Sequence, residues 1–336
     1  MSKRHGMRNP QLTINGKKIQ TIGDVHLGRV YANGVPLHMR GTMENLQREK
    51  FKTLLAIDTV EFTVLVGDLF DSFVVDPADV DFAANSLLSA ARGSPNRRFV
   101  VLGGNHDESK DLTRVSSFDN FKLIVSEAKL PNIDLIVEPR TIGSLGFISW
   151  SAKYSAKELA EKLVAQGKQL DAVFGHWDVV LPSHANHYNM VPTEQLKTIT
   201  KKVVTGHVHK PEVIERDGIE LTLVGSILPL AHGEEIPEDE MFYTITRKDY
   251  DEDPKKYDRK FVRFVLGEDE DLPEGDFIQI KAYVKPTKTS IDVNEPEEVT
   301  EFDVGKLLKK FLVEHDVSDK KAIEVVERFH AKQNQD

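Results

Sequence analysis

The chain reads as an α/β protein, and three observations predict that class. Short apolar runs of β type recur at 19–22, 62–66, 99–102, 172–174 and 203–204. Longer stretches with helical spacing alternate with them at 42–58, 77–91 and 155–166. Each of the five β-type runs leads within a few residues to a glycine and then to a side chain able to bind a metal. Alternation of this kind predicts a largely parallel sheet covered by helices. Polar residues gathered just past the strands predict a site at the strands' carboxyl ends.

Taken in order, Thr42 is placed to cap the first helix and Pro77 to open the second, where a missing N–H costs nothing. Segments 212–216 and 220–224 flank Asp217-Gly218, a strong hairpin signal. The character changes near residue 234. Segments 241–247 and 260–266 read as strands separated by a charged loop containing Asp251-Glu252-Asp253-Pro254, and 276–284 as a further strand. Residues 285–301 are rich in Pro, Thr and Glu and read as a linker. Two short amphipathic helices follow. Their apolar stripes are Val304, Leu307, Leu308, Phe311 and Leu312, then Ala322, Val325, Val326 and Phe329. The expected organisation is an extension at 1–17, a main domain at 18–233, a small α+β domain at 234–284, a linker at 285–302 and a helical hairpin at 303–332.

Composition removes several alternatives. There is no cysteine, so a metal would have to be held by oxygen and imidazole. No apolar run approaches the roughly 18 residues of a membrane span, and the basic start MSKRHGMRNPQ is not followed by a signal-type apolar stretch. A cytoplasmic location is the default expectation. The net charge of -10 is unevenly spread. Residues 234–303 hold 22 acidic and 10 basic side chains, while the rest hold 32 and 34. The domain that would carry the chemistry is therefore near neutral, and charge neither supports nor excludes a phosphate-backbone substrate.

The five strand-end motifs are Gly23-Asp24-Val25-His26, Gly67-Asp68-Leu69-Phe70-Asp71, Gly104-Asn105-His106-Asp107, Gly175-His176 and Gly206-His207-Val208-His209. Glycine permits the tight turn and the close approach of backbone to an ion or phosphate. Carboxylate, amide oxygen and imidazole suit manganese, iron or zinc, and a carboxylate can bridge two ions. A pair of ions roughly 3.5–4 Å apart can clamp the attacking and leaving oxygens of an in-line displacement. One Asp-x-His or His-x-His is an ordinary polar strand end. Five in one chain point to a two-metal phosphoesterase.

In that order the motifs resemble the calcineurin-like metallophosphoesterase superfamily, over about 18–233. The resemblance implies a two-sheet sandwich flanked by helices. One ion would be held by Asp24, His26, Asp68 and His209, and the other by Asp68, Asn105, His176 and His207. His106 would contact the scissile phosphate and assist the leaving oxygen, with Asp107 orienting it. Manganese is the expected metal, with magnesium, iron or zinc as alternatives.

A narrower likeness is carried by Gly67-Asp68-Leu69-Phe70-Asp71, by Gly175-His176-Trp177-Asp178, and by Gly225-Ser226-Ile227-Leu228-Pro229-Leu230 with Gly233-Glu234. These resemble SbcD-type nucleases, and chain length and terminal helices fit the branch of phage recombination endonuclease small subunits. That implies DNA as substrate, a capping domain at 234–284, a homodimer within a heterotetramer, and an SbcC-type coiled-coil ATPase bound by the helical tail. Leu307, Leu308, Phe311, Val325 and Phe329 are the expected partner contacts. Cellular relatives carry histidine where this chain has Asp71, which bears on the exonuclease-to-endonuclease balance. Asp71, Lys255, Lys256 and Arg259 are the expected substrate contacts, the last three from the densest basic run. Two rival functions keep the fold: a phosphodiesterase or phosphatase for a small molecule or phosphoprotein, and a non-catalytic binding module. Filled ligand positions argue against the latter.

Overall fold

The computed structural model describes residues 3–284 apart from 110, 112–113, 180–186 and 268–269. The expected linker and helical tail, with the five partner contacts in it, lie outside the described residues. The strands are β1 (Lys3–His5), β2 (Gln11–Ile14), β3 (Lys17–Ile22), β4 (Phe62–Val66), β5 (Arg98–Leu102), β6 (Ile133–Leu135), β7 (Arg140–Ile142), β8 (Leu145–Phe147), β9 (Ala172–His176), β10 (Lys202–Gly206), β11 (Glu212–Arg216), β12 (Ile219–Leu223), β13 (Phe242–Thr246), β14 (Phe261–Leu266) and β15 (Gln279–Val284). The helices are α1 (Thr42–Leu55), α2 (Pro77–Gly93), α3 (Ser117–Glu127), α4 (Ala156–Val164), α5 (Thr193–Leu196) and α6 (Arg247–Glu252).

Two sheets form the sandwich, one in the order β2-β3-β4-β5-β6 and the other β1-β11-β12-β10-β9-β8-β7. Alternation along each strand explains why both sheets read as nearly continuous apolar runs: each is covered on both faces. Val64, Val66, Val100 and Leu102 meet Phe147, Phe174 and Val204 in the core between the sheets. Their neighbours Leu65, Phe99 and Val101 point the other way, into a second core with Phe51, Leu87 and Phe121 of α1, α2 and α3. Val173 and Val203 do the same on the far side, against Leu159 and Leu163 of α4 and Leu196 of α5.

Strands β3, β4, β5 and β6 are mutually parallel, as are β8, β9, β10 and β12. In register, Ile22 lies beside Leu65, Val66 beside Leu102, and Gly206 beside His176. The motif-bearing strands therefore run out together within each sheet, β3, β4 and β5 in one and β9 and β10 in the other.

Several local expectations are corrected. Residues 1–17 are not a separate extension, because the described part of them belongs to the sandwich: β2 pairs antiparallel with β3, and β1 with β11. The buried Arg8 side chain fastens this segment to Asp239 and to the carbonyls of His209 and Glu234. Ile14 buries in the inter-sheet core, which an alternating Leu12/Ile14 pair signals. Thr42 is the first helical residue and not the cap; Gly41 takes that place at φ 85, and the Thr42 hydroxyl donates to the Met39 carbonyl. The charged loop after β13 begins as helix α6, opened by a reciprocal Thr246/Asp249 capping box, and continues in a short 3-10 turn at Pro254–Tyr257. Helix α3 starts on the same device, Ser116 with Asp119.

Beyond the hairpin, β13, β14 and β15 make a separate three-stranded parallel sheet. One face packs with α6 through Tyr250, Tyr257, Phe264 and Phe277. The other side brings Phe242 and Phe261 against Tyr31, Met39, Met43 and Leu230. Among the described residues no helix is long and apolar enough to cross a membrane.

Candidate metal centre

Each motif turns sharply where its strand ends. Asp24, His26, Asp68 and His207 all have positive φ, at 44, 52, 49 and 76°. Non-glycine residues rarely adopt this conformation, and it concentrates where surrounding structure enforces a functional geometry. Neighbouring glycines make room. A Cβ on Gly104 would stand 2.2 Å from Asp68 Oδ1, and one on Gly67 would stand 2.4 Å from His176 Nδ1.

The ligating atoms converge as two adjoining groups. Asp24, His26 and His209 offer atoms within 4.8 Å of one another, and so do Asp68, His176 and His207. Asn105 Oδ1 joins the second group, 2.7 Å from His207 Nδ1 and 3.0 Å from His176 Nε2. Asp68 stands between the groups, with Oδ2 3.3 Å from His176 Nε2 and 3.7 Å from His26 Nε2. His26, Asp68 and His106 form a third overlapping triplet. The seven expected ligands are thus side by side, with His106 at the rim.

Orientation comes from outside the cage. Asp24 Oδ1 accepts from the His207 amide at 2.8 Å and Asp68 Oδ1 from the His106 amide at 2.9 Å, so each carboxylate keeps Oδ2 for the centre. Every imidazole is likewise held through one nitrogen. His26 Nδ1 meets the Asp71 carboxylate at 3.1 Å, His209 Nδ1 meets Glu234 at 3.0 Å, and His207 Nε2 meets Asp178 at 2.9 Å. His176 Nδ1 faces the Val66 carbonyl at 2.9 Å. Such partners select the tautomer and raise the basicity of the nitrogen left for a metal.

The donor set fits divalent cations. Asp24 Oδ2 and His26 Nε2 are buried and have no hydrogen-bond partner among the described residues. Buried polar atoms are rarely left unpaired, and a cation between these two would satisfy both. Electrostatics agree. Burial raises the Asp68 carboxyl, but His176, and then His26 and His106, outweigh it and hold the group well below the usual carboxylate range. Burial lowers the His176 imidazole, yet Asp68 and then Asp24 bring it up to about 9. Oxygen and imidazole donors in this mixture suit manganese, iron or zinc.

Two expected roles change. Asp107 does not orient His106: its fully buried carboxylate accepts from the amides of Leu69, Phe70 and Gly104 at 3.1, 2.9 and 2.9 Å. Three convergent backbone donors capture it, so it braces the Asp68 turn. Its pKa is pushed up to about 7, by burial first and the Asp68 charge second, against those three amides. His106 is instead held by the Asp71 backbone carbonyl, 2.6 Å from Nδ1. The Asp71 carboxylate, expected as a substrate contact, lies between His26 and Arg29, whose guanidinium donates to it at 3.0 Å. Lys255, Lys256 and Arg259 are exposed, around the short 3-10 turn between α6 and β14.

Sequence reasoning assigned no role to Asp178, Glu234 or Arg29. Signals existed for two of them. Asp178 lies two residues past His176, and Glu234 closes the Gly225–Glu234 motif, but neither pattern says which imidazole the carboxylate meets.

A sandwich whose aligned strand ends hold an oxygen-and-imidazole cage has the plan of a metal-dependent hydrolase. The chain belongs to the calcineurin-like phosphoesterase family, whose model matches residues 17–211. That family implies metal-dependent phosphoester hydrolysis. No curated protein matches the chain. Similar solved structures include TT1561 of Thermus thermophilus, with 13% identity, 63% of this chain and 90% of that chain covered, and a TM-score of 0.42. The phosphopantetheinyl hydrolase of Mycobacterium tuberculosis has 13% identity, 62% and 89% coverage, and a TM-score of 0.39. GAP50, the anchor in the inner membrane complex of Plasmodium, has 18% identity, 62% and 71% coverage, and a TM-score of 0.39.

Proposed function

We propose that the chain is a two-metal DNA nuclease of SbcD type, of the phage recombination branch, working with an SbcC-type coiled-coil ATPase. The observation that supports the chemistry is the placement of Asp68 Oδ2 between His26 and His176, which suits a carboxylate bridging two cations. Asp24, His26 and His209 would hold one manganese ion, and Asn105, His176 and His207 the other. Bound there, the ions supply charge neutralisation at the phosphate and an activated water.

The protein's own groups do the rest. His106, with Nδ1 held by the Asp71 carbonyl, has Nε2 left to contact the scissile phosphate and give a proton to the leaving oxygen. Asp71, Glu234 and Asp178 keep three ligand imidazoles in register. Support for DNA as substrate is the SbcD-like motif set, three of whose acidic members have a task at the centre, since Asp71 holds His26, Asp178 holds His207 and Glu234 holds His209. In this reading 234–284 is a capping domain that helps to position DNA, and 303–332 binds the root of the ATPase coiled coil within a heterotetramer.

The test is a manganese-dependent assay on single- and double-stranded DNA beside a chromogenic phosphodiester. Hydrolysis of all three, lost together in Asp68→Asn, is the expected result. Turnover of the small ester with none of DNA, even with the ATPase present, would overturn the nuclease assignment in favour of a small-molecule phosphodiesterase. Removing 303–336 is expected to end co-purification with the ATPase; undiminished association would refute the partner site.

A further inference from the structure

A cavity lies against residues that support the ligands. It measures 190 Å³ and is lined by Arg29, Tyr31 and Asn33 from the segment after β3, by His232, and by Gln279 and Lys281 of β15. Its volume is more than tenfold what a single water needs, about 10–15 Å³. Among the described residues no acidic side chain lines it.

Its wall is joined to the metal centre at two points. Arg29 donates to the Asp71 carboxylate that also meets His26, and its other terminal nitrogen reaches the Leu230 carbonyl at 3.4 Å. The Leu230 amide in turn donates at 2.8 Å to Glu234, the carboxylate that holds His209. The cavity is thus one residue removed from two ligands of the same proposed cation.

Two of its polar groups are left over from folding. The Tyr31 hydroxyl and His232 Nε2 are buried and have no hydrogen-bond partner among the described residues. Tyr31 is 9% exposed, and the His232 side chain 4%. An unpaired buried hydroxyl destabilises a fold, so its retention calls for a partner that the fold itself does not provide. Burial, foremost, raises the Tyr31 phenol above its ordinary value, so it is a donor throughout the physiological range. Lys281 adds an exposed ammonium. Three nearby acids are already engaged, Asp71 by His26 and Arg29, Glu234 by His209, and Glu235 by His232, while Glu44 accepts from the Tyr31 amide through one oxygen and keeps the other buried without a partner among the described residues.

We propose that this cavity is a phosphate subsite, taking the phosphate group next to the scissile one on the substrate strand. The donors match that chemistry: a neutral phenol O–H, a guanidinium edge and an ammonium, all suited to anionic oxygens. One intervening residue, Asp71 or Glu234, separates its wall from His26 and His209, so it adjoins the ligands without including them, which suits a neighbouring phosphate and not the reacting one. The identity of the strand as DNA rests on the nuclease reading; the phosphate chemistry of the cavity does not.

The experiment measures binding of 5′-deoxyadenosine monophosphate to the full-length chain by calorimetry, with deoxyadenosine as control. The wild type is expected to bind the nucleotide and not the nucleoside. Tyr31→Phe and Lys281→Gln are each expected to weaken nucleotide binding about tenfold, the loss of one charge-assisted hydrogen bond. The KM for a single-stranded oligonucleotide should rise by the same factor. Unaltered affinity in both variants, or equal binding of nucleotide and nucleoside, would overturn the subsite. Should Tyr31→Phe fail to fold, Lys281→Gln decides, because that side chain is exposed. A wild type that binds the nucleotide but cleaves no DNA refutes the nuclease reading alone, and the variants still decide the subsite.

Discussion

At the scale of single residues, the centre is a set of paired obligations. Each ligand imidazole is fixed through one nitrogen, and both aspartates spend one oxygen on a backbone amide, so the free atoms all face inward. One consequence is pH-dependent. His176, raised to about 9 by Asp68 and Asp24 despite its burial, carries a proton at neutral pH when only protein groups surround it. A metal ligand must give that proton up. Apparent manganese affinity should therefore climb with pH, up to about tenfold per unit where one proton is displaced, and level off as pH passes about 9. Calorimetry in two buffers of different ionisation enthalpy checks this directly. Proton release on binding at pH 7 is expected; uptake, or no exchange, would show that His176 is neutral or not a ligand.

At the scale of elements, the glycines between strand and ligand set the geometry. Gly67 combines φ 99 with a Cβ position 2.4 Å from His176 Nδ1, so Gly67→Ala must displace either the Asp68 turn or the imidazole. The expected result is a stability loss of about 1–3 kcal/mol from the strained backbone, with manganese binding weakened at least tenfold. Thermal unfolding and calorimetry measure the two; wild-type values for both would show the turn to be more pliable than its contacts imply. The same elements show what was legible in the sequence. The run-glycine-ligand pattern repeats five times because each strand must be apolar on both faces and then turn at once, and that physical demand is written locally. The hairpin at Asp217-Gly218 was equally legible, since both residues take positive φ there. Helix α6 was missed behind its charges although Thr246 and Asp249 spell a capping box, and α3 likewise behind Ser116 and Asp119. Asp107 was misread for a different reason. The resemblance implied an orienting role toward His106, whereas the three amides that capture the carboxylate come partly from residues 69 and 70, a contact that no local pattern encodes.

At the scale of the whole molecule, two facts govern function. The sandwich brings the ligands of five strand ends together, and a small three-stranded sheet packs beside the segment 29–33 that borders the centre. The acidic excess falls largely in and after this smaller sheet, leaving the metal-binding part near neutral. Pairing order within the two sheets, and the inclusion of residues 3–14 in them, depend on contacts between distant segments and could not be read from spacing. The ligands could, because their chemistry is carried by residue type.

The most direct measurement is a manganese titration of the full-length chain, followed by calorimetry with metal analysis of the saturated protein. Two ions per chain are expected in the wild type, and no more than one in Asp68→Asn, whose amide cannot bridge as a carboxylate does. A wild type that takes up no manganese, or an Asp68→Asn variant that still holds two ions, would contradict the shared cage on which the account rests.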